Sequence, residues 1–208
     1  MLVDQLTAAD TSQSGTTDSG GANASRGGVD VVTATGTDHI YPINSGVPGN
    51  RIADLDANAT MRVTRYDPKL VVVEVGINDI RTGVGTSAFR TSYDSFLGKV
   101  ATGSPLPALV CLSVVAFGEQ WTSGPPMAWS NSGESYDAII PGYNNEIQGS
   151  CVAHGGIFVD VYGAMLTAES MQNTPAPGLL QGVLTQDRVH PTAAGQLVMS
   201  DAVRLAIN

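Results

Sequence analysis

Three short apolar runs fix the architecture before any other feature does. Residues 70–75 (Leu-Val-Val-Val-Glu-Val), 109–115 (Leu-Val-Cys-Leu-Ser-Val-Val) and 157–161 (Ile-Phe-Val-Asp-Val) are rich in β-branched side chains. Runs of this kind suit strands buried on both faces of a parallel sheet. The first follows Pro68 and stops at Gly76. Helix-like spacing lies between and after them. Residues 87–100 place Phe89, Tyr93, Phe96, Leu97 and Val100 on one face, with Ser87 as the cap candidate. Residues 136–153 are less regular because of Pro141 and Gly142, and residues 192–206 offer Leu197, Val198, Ala202, Val203 and Leu205 for packing. Residues 29–32 and 40–43 are weaker strand candidates, the second interrupted by Pro42. Strands alternating with helices predict βαβ units, and hence a three-layer α/β/α sandwich around a mostly parallel sheet. In such sheets the chemistry collects beyond the carboxyl ends of the strands.

Composition narrows the function. With 208 residues, 42% of them apolar, the chain reads as a single domain over residues 1–208 with a substantial core. Residues 7–28, rich in Thr, Ser, Gly and Asp, read as loop. The net charge of −9 opposes binding to nucleic acid and to anionic lipid, and disfavours strongly anionic substrates. No apolar run reaches the roughly 18 to 20 residues that span a bilayer. Residues 1–28 lack the basic and apolar segments of a secretory leader, so a soluble chain is expected, secreted only if a leader precedes this sequence. Cys111 and Cys151 make neither a disulfide framework nor a metal-ligand spacing. Cys111, inside an apolar run, reads as a buried inert thiol, with pairing to Cys151 left open. No metal or cofactor is expected. No phosphate-cradling glycine motif follows any strand, which disfavours a flavin- or nucleotide-binding domain.

Motifs at the strand ends carry the chemistry. Gly76-Ile77-Asn78-Asp79 follows the first strong strand, where glycine permits a sharp exit and the Asn78 amide can donate to a developing oxyanion. Taken alone it also reads as an ordinary Asn-Asp turn. Asn44-Ser45-Gly46-Val47-Pro48-Gly49 builds a rigid loop whose Gly49 N–H is a second donor candidate, or a plain Pro-Gly turn. Asp187-Arg188-Val189-His190-Pro191 sets a carboxylate three residues before an imidazole. That spacing lets Asp187 hold Nδ1 of His190 and leaves Nε2 to take a proton from a hydroxyl. His39 lies in a polar loop, and His154 at a helix end, where a cation is a routine structural choice. Hydroxyls for a nucleophile come from residues 9–15 (Ala-Asp-Thr-Ser-Gln-Ser-Gly), namely Thr11, Ser12 and Ser14, with Ser19 further on.

Together these motifs resemble the SGNH (GDSL-type) hydrolases, from about Asp10 to Ala206 and in the family's block order. The resemblance implies a flavodoxin-like, mostly parallel five-stranded sheet. It implies a Ser-His-Asp triad containing His190 and Asp187, and an oxyanion hole to which Gly49 and Asn78 contribute. The family's substrates are esters and thioesters (acyl esters, lipids and acetylated sugars), so the resemblance implies an ester substrate here. The first block departs from the family pattern. Without a gap, Thr11 stands at the nucleophile position; a one-residue slip puts Ser12 there. Threonine's extra methyl crowds a tetrahedral intermediate, so Ser12 is the better nucleophile and Thr11 the better aligned one. A catalytically impaired relative that binds an acylated sugar or glycan is the rival reading. Trp121 and Trp129, in a Pro/Gly/Ser-rich loop, are either cleft-lining aromatics for such a substrate or side chains tucked onto the core. Oligomeric state and compartment stay open.

Overall fold

The computed structural model describes residues 29–33, 36–40, 42–102, 105–115, 136–171 and 190–207. The chain falls into two compact units, Met1–Asn50 and Arg51–Asn208. In the first, β1 (Val29–Thr33) pairs antiparallel with β2 (Gly36–Ile40), Val29 opposite Ile40. The second strand thus ends before Pro42 instead of beginning at Ile40, because proline cannot donate to a ladder. His39 belongs to β2, opposite Asp30, and not to a loop.

The second unit carries the alternation. Its elements are α1 (Ile52–Arg62), β3 (Leu70–Val73), α2 (Ile77–Arg81), α3 (Thr86–Val100), β4 (Ala108–Leu112), α4 (Tyr136–Ala153), β5 (Ile157–Val159), α5 (Val161–Met171) and α6 (Ala193–Ile207). Among the described residues the sheet has three strands in the order β3-β4-β5, both pairings parallel. Alternate β4 side chains point to opposite layers. Leu109 and Cys111 join Val71, Val73, Phe89, Tyr93, Leu97, Ile140 and Ile147 under α1, α3 and α4. Val110 and Leu112 join Val159, Val161 and Met165 on the side of α5 and α6. This is the three-layer α/β/α arrangement expected from the sequence.

Burial on both faces holds for β4 but not for β3. Leu70 and Val72 are 49% and 50% exposed, while Val71 and Val73 are buried. Among the described residues β3 is an edge strand, and the far-side cluster gathers over β4 and β5. In α3, Phe89, Tyr93, Phe96, Leu97 and Val100 are all buried, as their spacing predicts. Its cap position is Gly85, not Ser87, and no side chain caps it. Helix α4 runs through Pro141. Arg90 bridges α3 to α4 through Glu146 at 3.0 Å, and Lys99 meets Asp56 of α1 at 2.7 Å. Such surface pairs add little compared with the apolar contacts. No described helix is long and apolar enough to cross a membrane.

The cysteines are paired. Cys111 of β4 and Cys151 of α4 form a disulfide with their Cα atoms 6.1 Å apart, both fully buried. The expectation of an inert thiol fails because Cys111 faces the layer that carries α4, a proximity across 40 residues of chain that spacing alone does not reveal. His154 follows α4 as expected. Its N–H donates to the carbonyls of Ser150 and Cys151, and its Nε2 lies 3.8 Å from the Asp94 carboxylate.

Candidate active site

Polar groups, buried at β4 and exposed at β5, bond the carboxyl ends of these strands to their neighbours. At the end of β4, the Val114 N–H donates to Oδ1 of Asn144 at 2.8 Å. The buried Ser113 hydroxyl accepts the Tyr162 N–H at 2.8 Å. At the end of β5, Asp160 accepts the Gly163 N–H at 2.9 Å and caps α5. These bonds keep the rim of the sheet in one conformation, the precondition for precise chemistry above it.

Past β3 the chain turns at Gly76, whose φ of 129° is a conformation that L side chains rarely adopt. A Cβ there would lie 2.7 Å from Cγ2 of Val114, a buried side chain, and 3.6 Å from the Phe89 ring. Gly76→Ala should therefore lose about 3 kcal/mol of stability, since backbone strain and overpacking each cost about 1–3 kcal/mol. Urea unfolding checks this, and a loss below about 1 kcal/mol would show that the turn tolerates a side chain.

The exit at Gly76 leads straight into α2. Asn78 is its second residue and is half-buried; Asp79, the third, is fully buried. Both Asp79 carboxylate oxygens accept the Ile52 N–H, at 3.2 and 3.1 Å. Burial pushes the Asp79 carboxyl up to about 6, against the opposing pull of the Ile52 N–H, its own N–H and the Arg51 charge. Tyr143 is pushed up to about 12, by burial first and by the Asp79 charge second. The Asn-Asp pair is thus helical, and its acid anchors a different helix. Sequence reasoning singled out Asn78 and passed over Asp79, whose partner is a backbone group 27 residues away and invisible in composition.

Gly49 lies in the first unit, in an exposed turn where the Asn50 N–H donates to the Val47 carbonyl at 3.1 Å. Its φ of 82° follows Pro48, the pattern of a type II turn. His190 lies in the second unit, exposed, two residues before Thr192. The Thr192 hydroxyl accepts the Gly195 N–H at 3.2 Å and its carbonyl accepts the Gln196 N–H at 2.8 Å, so the start of α6 is capped just past the imidazole. Asp187, Ser12, Thr11, Ser14 and Ser19 lie outside the described residues, as do Trp121 and Trp129.

Residues 10–198 match the GDSL-like lipase/acylhydrolase family. No curated protein matches the sequence. The acetylxylan esterase Axe2 of Geobacillus stearothermophilus superposes with a TM-score of 0.62 at 21% identity, over 81% of this chain and 73% of its own. Two catalytic mutants of that enzyme replace an aspartate and, three residues further on, a histidine by alanine. They superpose with TM-scores of 0.61 and 0.62 at 20% identity, over 80% and 81% of this chain and 71% and 73% of theirs. LAE5, an α/β hydrolase from the metagenome of Lake Arreo, Spain, superposes with a TM-score of 0.59 at 24% identity, over 79% of this chain and 71% of its own. At these identities the likeness is one of fold.

Proposed function

The chain belongs to the GDSL-like lipase/acylhydrolase family and is a serine-type hydrolase of ester bonds, and we propose that it works by two-step acyl transfer on an uncharged ester such as an acetylated saccharide. The observation that carries this reading is the placement of Asn78, on a one-turn helix directly beyond the carboxyl end of β3. There its amide suits a charge that develops on a carbonyl oxygen. The Asp187–His190 spacing, the same as that of the two catalytic positions replaced in Axe2, supports it. So does the acetylated-xylan chemistry by which that structural neighbour is known.

A hydroxyl of the first block, Ser12 or Thr11, attacks the ester carbonyl and gives its proton to Nε2 of His190, while Asp187 holds Nδ1. The tetrahedral oxyanion is held by the Asn78 amide, the Gly49 N–H and the nucleophile's own N–H. The carbon–oxygen bond to the alcohol breaks as His190 returns the proton to the departing oxygen. Water, deprotonated by the same imidazole, then attacks the acyl-enzyme, and the acid leaves. The negative surface suits a neutral substrate, and the buried disulfide fits a chain that folds in an oxidising compartment, outside the cytoplasm.

The nucleophile is the part to test. A fluorophosphonate probe should label one hydroxyl in the peptide that contains Thr11 and Ser12, located by mass spectrometry. Alanine at that position should lower p-nitrophenyl acetate turnover by about 10³-fold. Labelling elsewhere, or wild-type turnover in both Ser12→Ala and Thr11→Ala, sinks the assignment. Absent turnover with retained affinity for an acetylated xylooligosaccharide would favour a binding protein on the hydrolase scaffold.

A further inference from the structure

We propose that Asp79 is a positioning residue for ester hydrolysis: seated on the first N–H of α1, its carboxylate fixes how α2 presents Asn78. The inference rests on Asn78 acting as an oxyanion donor. Helix α2 is only five residues long, Ile77–Arg81. A single turn does not hold itself, because nucleation costs more than one turn of hydrogen bonds returns. Its orientation is therefore set by its anchors, and these converge on residue 79 and its neighbours. The Asp79 carboxylate takes the Ile52 N–H at 3.2 and 3.1 Å. Its carbonyl takes the N–H groups of Thr82 at 3.2 Å and Val84 at 3.0 Å, which ends the helix. Ile80, 2% exposed, packs into the core, and its N–H donates to the Gly76 carbonyl at 2.9 Å. Asn78 is bonded covalently to this hub, and its carbonyl takes the Thr82 N–H at 3.0 Å and the Thr82 hydroxyl at 2.8 Å.

The Ile52 N–H belongs to the first turn of α1, where no intrahelical acceptor exists, and Ile52 is 1% exposed. Removing the carboxylate strands a buried donor and frees α2 to shift. A misplacement of about 1 Å at a catalytic group costs on the order of 10²-fold in rate. A shift of α2 would act on the transition-state contact and hardly on substrate capture, so kcat should fall and KM should hold.

A double-mutant cycle tests this with p-nitrophenyl acetate as the probe. Asp79→Ala in the wild-type background should lower kcat by roughly 30- to 100-fold, with KM within about 3-fold. Asp79→Asn, which keeps an acceptor oxygen at the same place, should recover most of that loss. In an Asn78→Ala background, Asp79→Ala should change kcat by less than about 3-fold, because the group it positions is gone. An equal loss in both backgrounds, or Asp79→Asn as slow as Asp79→Ala, overturns the positioning role and leaves a general structural one. Should Asp79→Ala fail to fold, Asp79→Glu, which displaces the carboxylate by one methylene, carries the same cycle with the same two readings. A wild-type rate in Asn78→Ala alone is a different result: it removes the oxyanion assignment itself.

Discussion

Replacing His190 by alanine is expected to lower kcat on p-nitrophenyl acetate by at least about 10³-fold, with KM little changed. An aliphatic hydroxyl is a poor nucleophile at neutral pH until a base removes its proton as the bond forms, and the alkoxide leaving group needs that proton back. In the proposed mechanism one imidazole serves both steps, so its loss should be felt in acylation and in deacylation. At 1.36 kcal/mol per decade, 10³-fold corresponds to about 4 kcal/mol of transition-state stabilisation. The fold should survive the change. His190 is exposed, and the bonds that start α6 come from Thr192. Unchanged melting with collapsed kcat separates chemistry from stability. A His190→Ala enzyme within tenfold of the wild-type rate would remove this residue from the mechanism.

The second large effect concerns stability. Opening the Cys111–Cys151 bond should cost about 4 kcal/mol by the loop-entropy relation, given a separation of 40 residues. In a chain of this size that corresponds to a fall in Tm of roughly 8–16 °C. The double variant Cys111→Ala/Cys151→Ala, compared with oxidised protein by calorimetry, measures it. At low temperature the variant should still turn over ester, because neither cysteine belongs to the proposed reaction. A Tm within about 2 °C of the oxidised protein would mean that the two sulfurs contribute nothing by being joined.

What could be read in advance, and what could not, divides by the range of the interaction. The core of α3 was legible because Phe89, Tyr93, Phe96, Leu97 and Val100 recur at the helical period and meet one buried surface. The strong strands were legible because valine-rich runs have few alternatives. Helix α1 left only a faint trace, since Ile52 and Ala59 are its only fully buried residues. The exposed side of β3 went unforeseen because a valine says nothing about whether its sheet has a neighbour there. Asn78 stood out because it follows the clearest strand. Asp79 did not, because its partner is a main-chain N–H, a group that every residue but proline carries. The disulfide and the Asp79–Ile52 contact are both long-range, and pairings of that kind become visible only when the chain is folded.

The covalent rivet between β4 and α4 lies on one side of the sheet only. On the opposite side α6 rests on Val159, Val161 and Met165 through half-covered Val198, Met199, Ala202 and Val203, with no cross-link in that cluster. The two walls therefore have unequal grip. Warmth or mild denaturant is therefore expected to loosen α6 before α4, which hydrogen exchange at the two helices would show. If His190 is the base of the proposed reaction, activity should fall at a lower temperature than the melting of the β4–α4 layer.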